Sequence, residues 1–168
     1  MLARPGVRPM VTLATRGVVA ILFTDAVRST ERLNALGDDR VEELRRLEFG
    51  LLRDAIAAAG GSEVKSEGDG VMAVFQSPLQ AVACAVAIQV STQDRNASVP
   101  EPERLGLRVG LHAGEPVPDE EDFFGASVVV AQRLCKAAGA GQILTSELVR
   151  GLIGSRGGYR FRTLGGVV

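Results

Sequence analysis

Val18-Val19-Ala20-Ile21-Leu22-Phe23-Thr24 is an unbroken apolar run that stops at Asp25, and the rest of the chain is organised around it. Branched and aromatic residues without polar alternation suit a strand buried on both faces, at the centre of a sheet. Outward from it, Asp39 opens a helical pattern, with Glu42 as its capping-box partner and Val41, Leu44, Leu47, Leu51 and Leu52 on the apolar face before Gly60-Gly61. Residues 63–65 and 71–75 then flank Glu67-Gly68-Asp69-Gly70, the pattern of a β-hairpin whose glycines take positive φ. Ser77-Pro78 caps a second helix carrying Leu79, Val82, Val86 and Val90, and residues 105–112 form a strand beyond Pro100 and Pro102. Strand, helix, hairpin, helix, strand is the split βαβ order. The predicted fold is therefore α+β, a ferredoxin-like antiparallel sheet with helices covering one face. A C-terminal extension follows an acidic loop: a helix over 126–138, a short strand at Ile143-Leu144, a short helix, and a strand over 159–163.

The 168 residues are 46% hydrophobic and 23% charged, with 19 basic against 20 acidic side chains and a formal net charge of -1. This is the composition of one globular domain, not of a disordered or collagen-like chain. Near-neutral balance provides no electrostatic basis for gripping a polyanion, so nucleic acid is not an expected partner. The apolar stretch from Gly17 to Phe23 is too short to span a bilayer and resembles no signal-peptide core, so no membrane partner is expected. Cys84 and Cys135 lie in apolar helical patterns without CxxC or Cys/His spacing. They read as core residues of a protein in a reducing compartment, which predicts a cytoplasmic location. Residues 1–16, with Pro5 and Pro9, read as a flexible leader, and residues 17–168 as one domain.

Asp25 ends the buried strand and Asp69 sits at the hairpin tip. Taken singly, Asp25 reads as a cap for the next helix and Asp69 as a turn residue. Taken together, in a split βαβ sheet they fall at one edge of adjacent central strands, where two acids repel unless a cation joins them. Oxygen donors of this kind suit Mg²⁺ or Mn²⁺, and a pair of such ions can stabilise the attacking and leaving oxygens of a phosphoryl transfer. Between Asp25 and Thr30 the chain passes from strand into a short helix, so backbone N–H groups near Ser29 and Thr30 can face an anion.

Four motifs now stand in order: Phe23-Thr24-Asp25 through Ser29-Thr30; Lys65-x-x-Gly68-Asp69-Gly70; Leu107-Arg108-Val109-Gly110-Leu111-His112-x-Gly114-Glu115; and Asp122-Phe123-Phe124-Gly125 through Arg133-Leu134. Together they resemble the catalytic domain of the class III nucleotidyl cyclases, the adenylyl and guanylyl cyclase family, in its bacterial form, over residues 17–166. The resemblance implies an adenylyl cyclase that converts ATP to 3′,5′-cyclic AMP and pyrophosphate, built as a head-to-tail homodimer with two active sites in its interface. It implies two divalent cations, Mg²⁺ or Mn²⁺, held by Asp25 and Asp69 of one chain with the Ala26 carbonyl as a further ligand. Lys65 and Asp122 of the second copy read the base, Arg133 contacts phosphate, and Ser29 and Thr30 bind the triphosphate. Base chemistry agrees with ATP, because adenine offers an acceptor at N1 and a donor at its amino group, matching a lysine and an aspartate. Guanine reverses both.

The sequence departs from the family pattern in places. Arg28 stands where a glycine is frequent. Val129, four residues after Gly125, stands where the family usually has an asparagine that supports the transition state with the arginine matching Arg133. Losing one such donor costs about 10²–10³ in rate, so the alternative is a weakly active or inactive nucleotide-binding dimerisation module. The phosphate-binding lysine that relatives carry after a further strand has no match up to Val168. His112, the only histidine, reads as structural, since it lies within a strand-end motif. A polymerase-like palm would share the core and the acid pair, but the charge balance does not support it.

Overall fold

The computed structural model describes residues 17–120 and 122–166, so the expected leader at 1–16 lies outside the described residues. In chain order the elements are β1 (Val19–Ala26), α1 (Ser29–Leu36), α2 (Asp38–Ala58), β2 (Ser62–Glu67), β3 (Gly70–Phe75), α3 (Pro78–Ala97), β4 (Leu107–Gly114), β5 (Val117–Asp119), β6 (Asp122–Phe124), α4 (Ala126–Ala137), β7 (Ile143–Thr145) and α5 (Glu147–Ile153). Five strands form one sheet in the order β2-β3-β1-β4-β7. All neighbours are antiparallel except β4 and β7. The α+β, split βαβ reading therefore describes the core.

Strand β1 is central, and its alternate side chains enter two different clusters. Ala20 and Leu22 join Leu52, Ile56, Ala85, Ile88, Val149 and Ile153 from α2, α3 and α5. Ile21 and Phe23 join Met72, Val74, Ala131 and Cys135, with Phe123 from β6. Helices thus cover both faces, a correction to the expected one-sided cover. The second face is as apolar as the first and cannot be left to water, so α4 and the β5–β6 hairpin close over it. Gly110 permits the closure. A Cβ there would lie 2.2 Å from Cys135 N and 2.5 Å from the Ala131 carbonyl oxygen, so only glycine lets α4 rest on β4.

Three local expectations are corrected. The capping box of Asp39 and Glu42 does not form: α2 begins one residue earlier behind Gly37, whose φ of 80° breaks it from α1, and Glu42 pairs with Arg45 and Arg46 instead. Residues 159–163 form no strand. Tyr159 and Phe161 still pack on the first cluster while Arg160 and Arg162 face outward, so the alternation reports burial without a ladder. The acidic loop before α4 contains the β5–β6 hairpin, which drives Phe123 into the core. By contrast, Ser77 does cap α3, its Oγ accepting from Gln80 N at 3.5 Å ahead of Pro78. Among the described residues no helix is long and apolar enough to cross a membrane.

Candidate active site

The end of β1 and the β2–β3 turn meet through a glycine. Phe23 pairs with Met72, and beyond that pair an added Cβ on Gly70 would fall 2.3 Å from the Thr24 carbonyl oxygen and 3.6 Å from Asp25 Cα. The buried Thr24 Oγ1 accepts from Val71 N at 3.1 Å and locks this register. Asp69, one residue before Gly70, is thereby carried to the side of Asp25. Both side chains are about one-third exposed.

Each carboxylate has an arginine that sequence reasoning did not assign to it. Arg108 stands directly opposite Asp25 in the β1–β4 register, its Nε donating to Asp25 Oδ2 at 3.1 Å and its Nη2 donating to the same oxygen. Arg45, on α2, lies 3.9 Å from Asp69 Oδ1 and donates to the Gly68 carbonyl at 3.1 Å. The signal for Arg108 was its place in a strand motif, but the pairing is a matter of register. Behind the acids lies Glu48, 2% exposed, with Arg32 Nη2 at 3.5 Å. Burial pushes its carboxyl up to about 7 against the pull of Arg32, and the charges of Asp69 and Asp25 add to the rise.

Ser29 and Thr30 are the first two residues of α1, and no side chain caps this helix. Its leading N–H groups therefore remain available to an anion. Arg28 precedes them with φ 62° and ψ 28°, a left-handed conformation that costs a non-glycine residue about 1–2 kcal/mol. This is the physical reason a glycine suits that position. The Arg28 side chain is exposed and reaches Glu31 at 3.7 Å. Ala26 closes β1, buried, opposite Leu107.

Lys65 and Asp122, far apart in sequence, are brought together: Lys65 Nζ donates to Asp122 Oδ2 at 2.7 Å. Partial burial raises the Asp122 carboxyl, but the hydrogen bonds from Lys65 and the Phe123 N–H outweigh it and hold the group below its ordinary value. Lys65 and Asp25 also line one cavity of about 150 Å³, to which α4 contributes Gln132, Cys135 and Lys136. Arg133 is not among that cavity's walls; it is exposed on α4, as is Val129 one turn earlier. The structure thus pairs Lys65 with Asp122, sets the turn that carries Asp69 beside the end of β1 that carries Asp25, and leaves Arg133 exposed on α4 outside that cavity.

His112 sits away from this end of the sheet, opposite Ile21, with Nδ1 2.8 Å from Ser146 Oγ, and burial lowers its pKa. It ties β4 to the cap of α5. Cys84 and Cys135 are buried free thiols, pushed up to about 12 chiefly by burial. Among the described residues no group of three or more His, Cys, Asp or Glu side chains forms a metal cage. Two partly exposed carboxylates at neighbouring strand ends are donors that suit Mg²⁺ or Mn²⁺ all the same, because these ions keep waters and share substrate phosphates instead of filling a protein cage.

Comparison with known proteins identifies the family. Residues 11–167 match the family model described as the adenylate and guanylate cyclase catalytic domain. A solved adenylate/guanylate cyclase/hydrolase from Silicibacter pomeroyi superposes with a TM-score of 0.77 at 35% identity, covering 90% of this chain and 88% of that one. Putative adenylate cyclase 3 of Rhizobium meliloti is 32% identical over 133 residues, 79% of this chain. A Myxococcus xanthus protein named serine/threonine-protein kinase pkn2 is 30% identical over 131 residues, 78% of this chain. The chain spans only 22% and 16% of the length of these two relatives. With the split βαβ core, the paired acids and the family match over nearly all its length, the chain belongs to the adenylate and guanylate cyclase catalytic domain family.

Proposed function

We propose that residues 17–168 are the catalytic domain of a cytoplasmic adenylyl cyclase that forms 3′,5′-cyclic AMP and pyrophosphate from ATP at the interface of a homodimer. The observation that carries this reading is the Lys65–Asp122 pair, a donor and an acceptor held 2.7 Å apart. That pair complements the N1 acceptor and amino donor of adenine, and meets guanine donor to donor and acceptor to acceptor.

In the reaction the ribose 3′ oxygen attacks the α-phosphorus and pyrophosphate leaves. Asp25 and Asp69, with the Ala26 carbonyl, would hold two divalent cations, which supply neutralisation of the triphosphate and a more acidic 3′-hydroxyl. The N–H groups of Ser29 and Thr30 orient the phosphates. Lys65 and Asp122 of the second copy orient the base, and its Arg133, exposed and free of its own chain's cavity, reaches the phosphates. Val129, exposed one turn before Arg133, favours the second reading, a domain with weak or no turnover.

Incubation with Mn²⁺ and either ATP or GTP, followed by detection of cyclic nucleotide and pyrophosphate, tests the reading. ATP should be the preferred substrate; preferential formation of cyclic GMP would overturn the base assignment. Asp25→Ala and Lys65→Ala should each be inactive alone and regain activity when mixed, since one of the two sites in a heterodimer then carries neither change. Demonstrated heterodimers without activity would refute the shared site.

A further inference from the structure

We propose that the open edge of β7 is a docking site for an extended acidic segment of another protein, which would join the sheet as an added strand between β7 and residues 160–166. β7 ends the sheet order β2-β3-β1-β4-β7, so it has a neighbour on one side only. The Gln142 carbonyl accepts from Val109 N and Ser146 N donates to the Leu111 carbonyl, which turns these backbone groups toward β4. Backbone groups alternate direction along a strand, so the N–H and C=O of Ile143 and Thr145 point away from β4. Beyond them lies a groove of about 630 Å³. It is bounded by Val130 and Leu134 of α4 and by Arg150 of α5, helices that cover opposite faces of the sheet. A chain lying in the groove therefore continues the plane of the sheet.

The far wall is the segment that alternates without a ladder. Tyr159 and Phe161 pack inward on the first cluster, yet among the described residues no backbone–backbone hydrogen bond involves residues 159–166. An edge strand and an unladdered stretch thus flank one groove, an arrangement that strand addition completes. Charge selects the occupant. Arg150, Arg160 and Arg162 stand on the walls against a single acid, Glu147, and Arg160 and Arg162 form no ion pair among the described residues. The Arg150–Glu147 contact, 3.4 Å long and exposed, offsets little of that charge. Residues 1–16 carry Arg4, Arg8 and Arg16 and no acid, and Pro5 and Pro9 lack ladder donors, so this stretch does not complement the groove. A second copy docked edge to edge would set the same arginines against one another. The segment that fits alternates acidic side chains, directed at the arginines, with apolar ones that cover Val130 and Leu134.

The test uses the whole chain and fluorescein-labelled synthetic peptides of alternating glutamate and valine, followed by fluorescence anisotropy. The Glu/Val peptide should bind saturably, more weakly as salt rises, and should protect the amides of Ile143 and Thr145 from hydrogen exchange. The same peptide with a central proline, and a Lys/Val peptide, should each bind about tenfold or more weakly. Arg160→Glu combined with Arg162→Glu should cost about tenfold or more in peptide affinity with the melting temperature unchanged, because both side chains are exposed. Absence of saturable binding overturns the site. Equal binding of the proline peptide, or binding without protection of those two amides, overturns strand addition. Equal binding of the Lys/Val peptide, or of the Glu/Val peptide by the folded double variant, overturns the acidic partner. An oligomer that the Glu/Val peptide dissociates in sedimentation would make a second copy the occupant and overturn the assignment to another protein.

Discussion

Glu48→Gln should stabilise the protein above neutral pH and leave it unchanged in acid. Glu48 is 2% exposed within α2. Its Oε1 lacks a hydrogen-bond partner, as do Nε and Nη1 of Arg32. Burial is the largest influence on its carboxyl, which moves from 4.5 to about 7 despite Arg32 at 3.5 Å. Because the folded value lies above the unfolded one, the folded state binds more protons between the two. The contribution of Glu48 to stability is then complete below 4.5 and is lost as pH rises through about 7. The displacement corresponds to about 3 kcal/mol. Glutamine has no proton to lose, so its stability relative to wild type should climb by about that amount between acid and about pH 8. For a domain of this size the gain is about 6–12 °C in melting temperature. Paired thermal and urea melts in chelator, taken as differences at each pH, cancel the other carboxylates. If wild type instead gains on the variant over this window, attraction to Arg32 exceeds desolvation and the reasoning is refuted.

Val129 is 44% exposed, so Val129→Asn should leave the stability within about 0.5 kcal/mol of wild type while restoring a transition-state donor worth up to about 10² in kcat. Unchanged kcat at unchanged stability would remove Val129 as the position limiting turnover. Gly70→Ala should destabilise the domain by about 1–3 kcal/mol and weaken Mn²⁺ binding, because its Cβ would fall 2.3 Å from the Thr24 carbonyl oxygen and force β3 off β1. Wild-type melting and Mn²⁺ affinity in this variant would show that the junction does not depend on glycine.

Much of the site was legible because its residues sit where local pattern changes. Asp25 terminates an apolar run, Asp69 stands between two turn glycines, and Ser29-Thr30 opens a helix, so strand and turn chemistry alone locate them. Lys65 and Asp122 were legible only through motif order, since a lone lysine on a strand or an aspartate in an acidic loop is ordinarily a solvated charge. Arg133 was placed by the same route and stands exposed on α4, apart from the paired acids of its own chain.

What escaped the sequence depends on register and on which face packs. Period-two and helical patterns report which side chains avoid water, and they led to the central strand, the hairpin, the helices and the split βαβ order. They do not report what lies opposite. The alternation at 159–163 looked like a strand because Tyr159 and Phe161 are drawn inward, yet burial needs no ladder partner. The second helical cover was invisible because the inward alternation of Ile21 and Phe23 does not say that α4 will be what shields them. The pairing of Arg108 with Asp25, 83 residues apart, and the burial of Glu48 behind both acids follow from strand register and helix docking. Sequence by itself determined most of the elements and the residue types proposed to carry the chemistry, because propensity and hydrophobic period are local. Only the tertiary structure decided which charges neutralise one another, because Coulomb and desolvation energies depend on distances between segments that the chain's order leaves open.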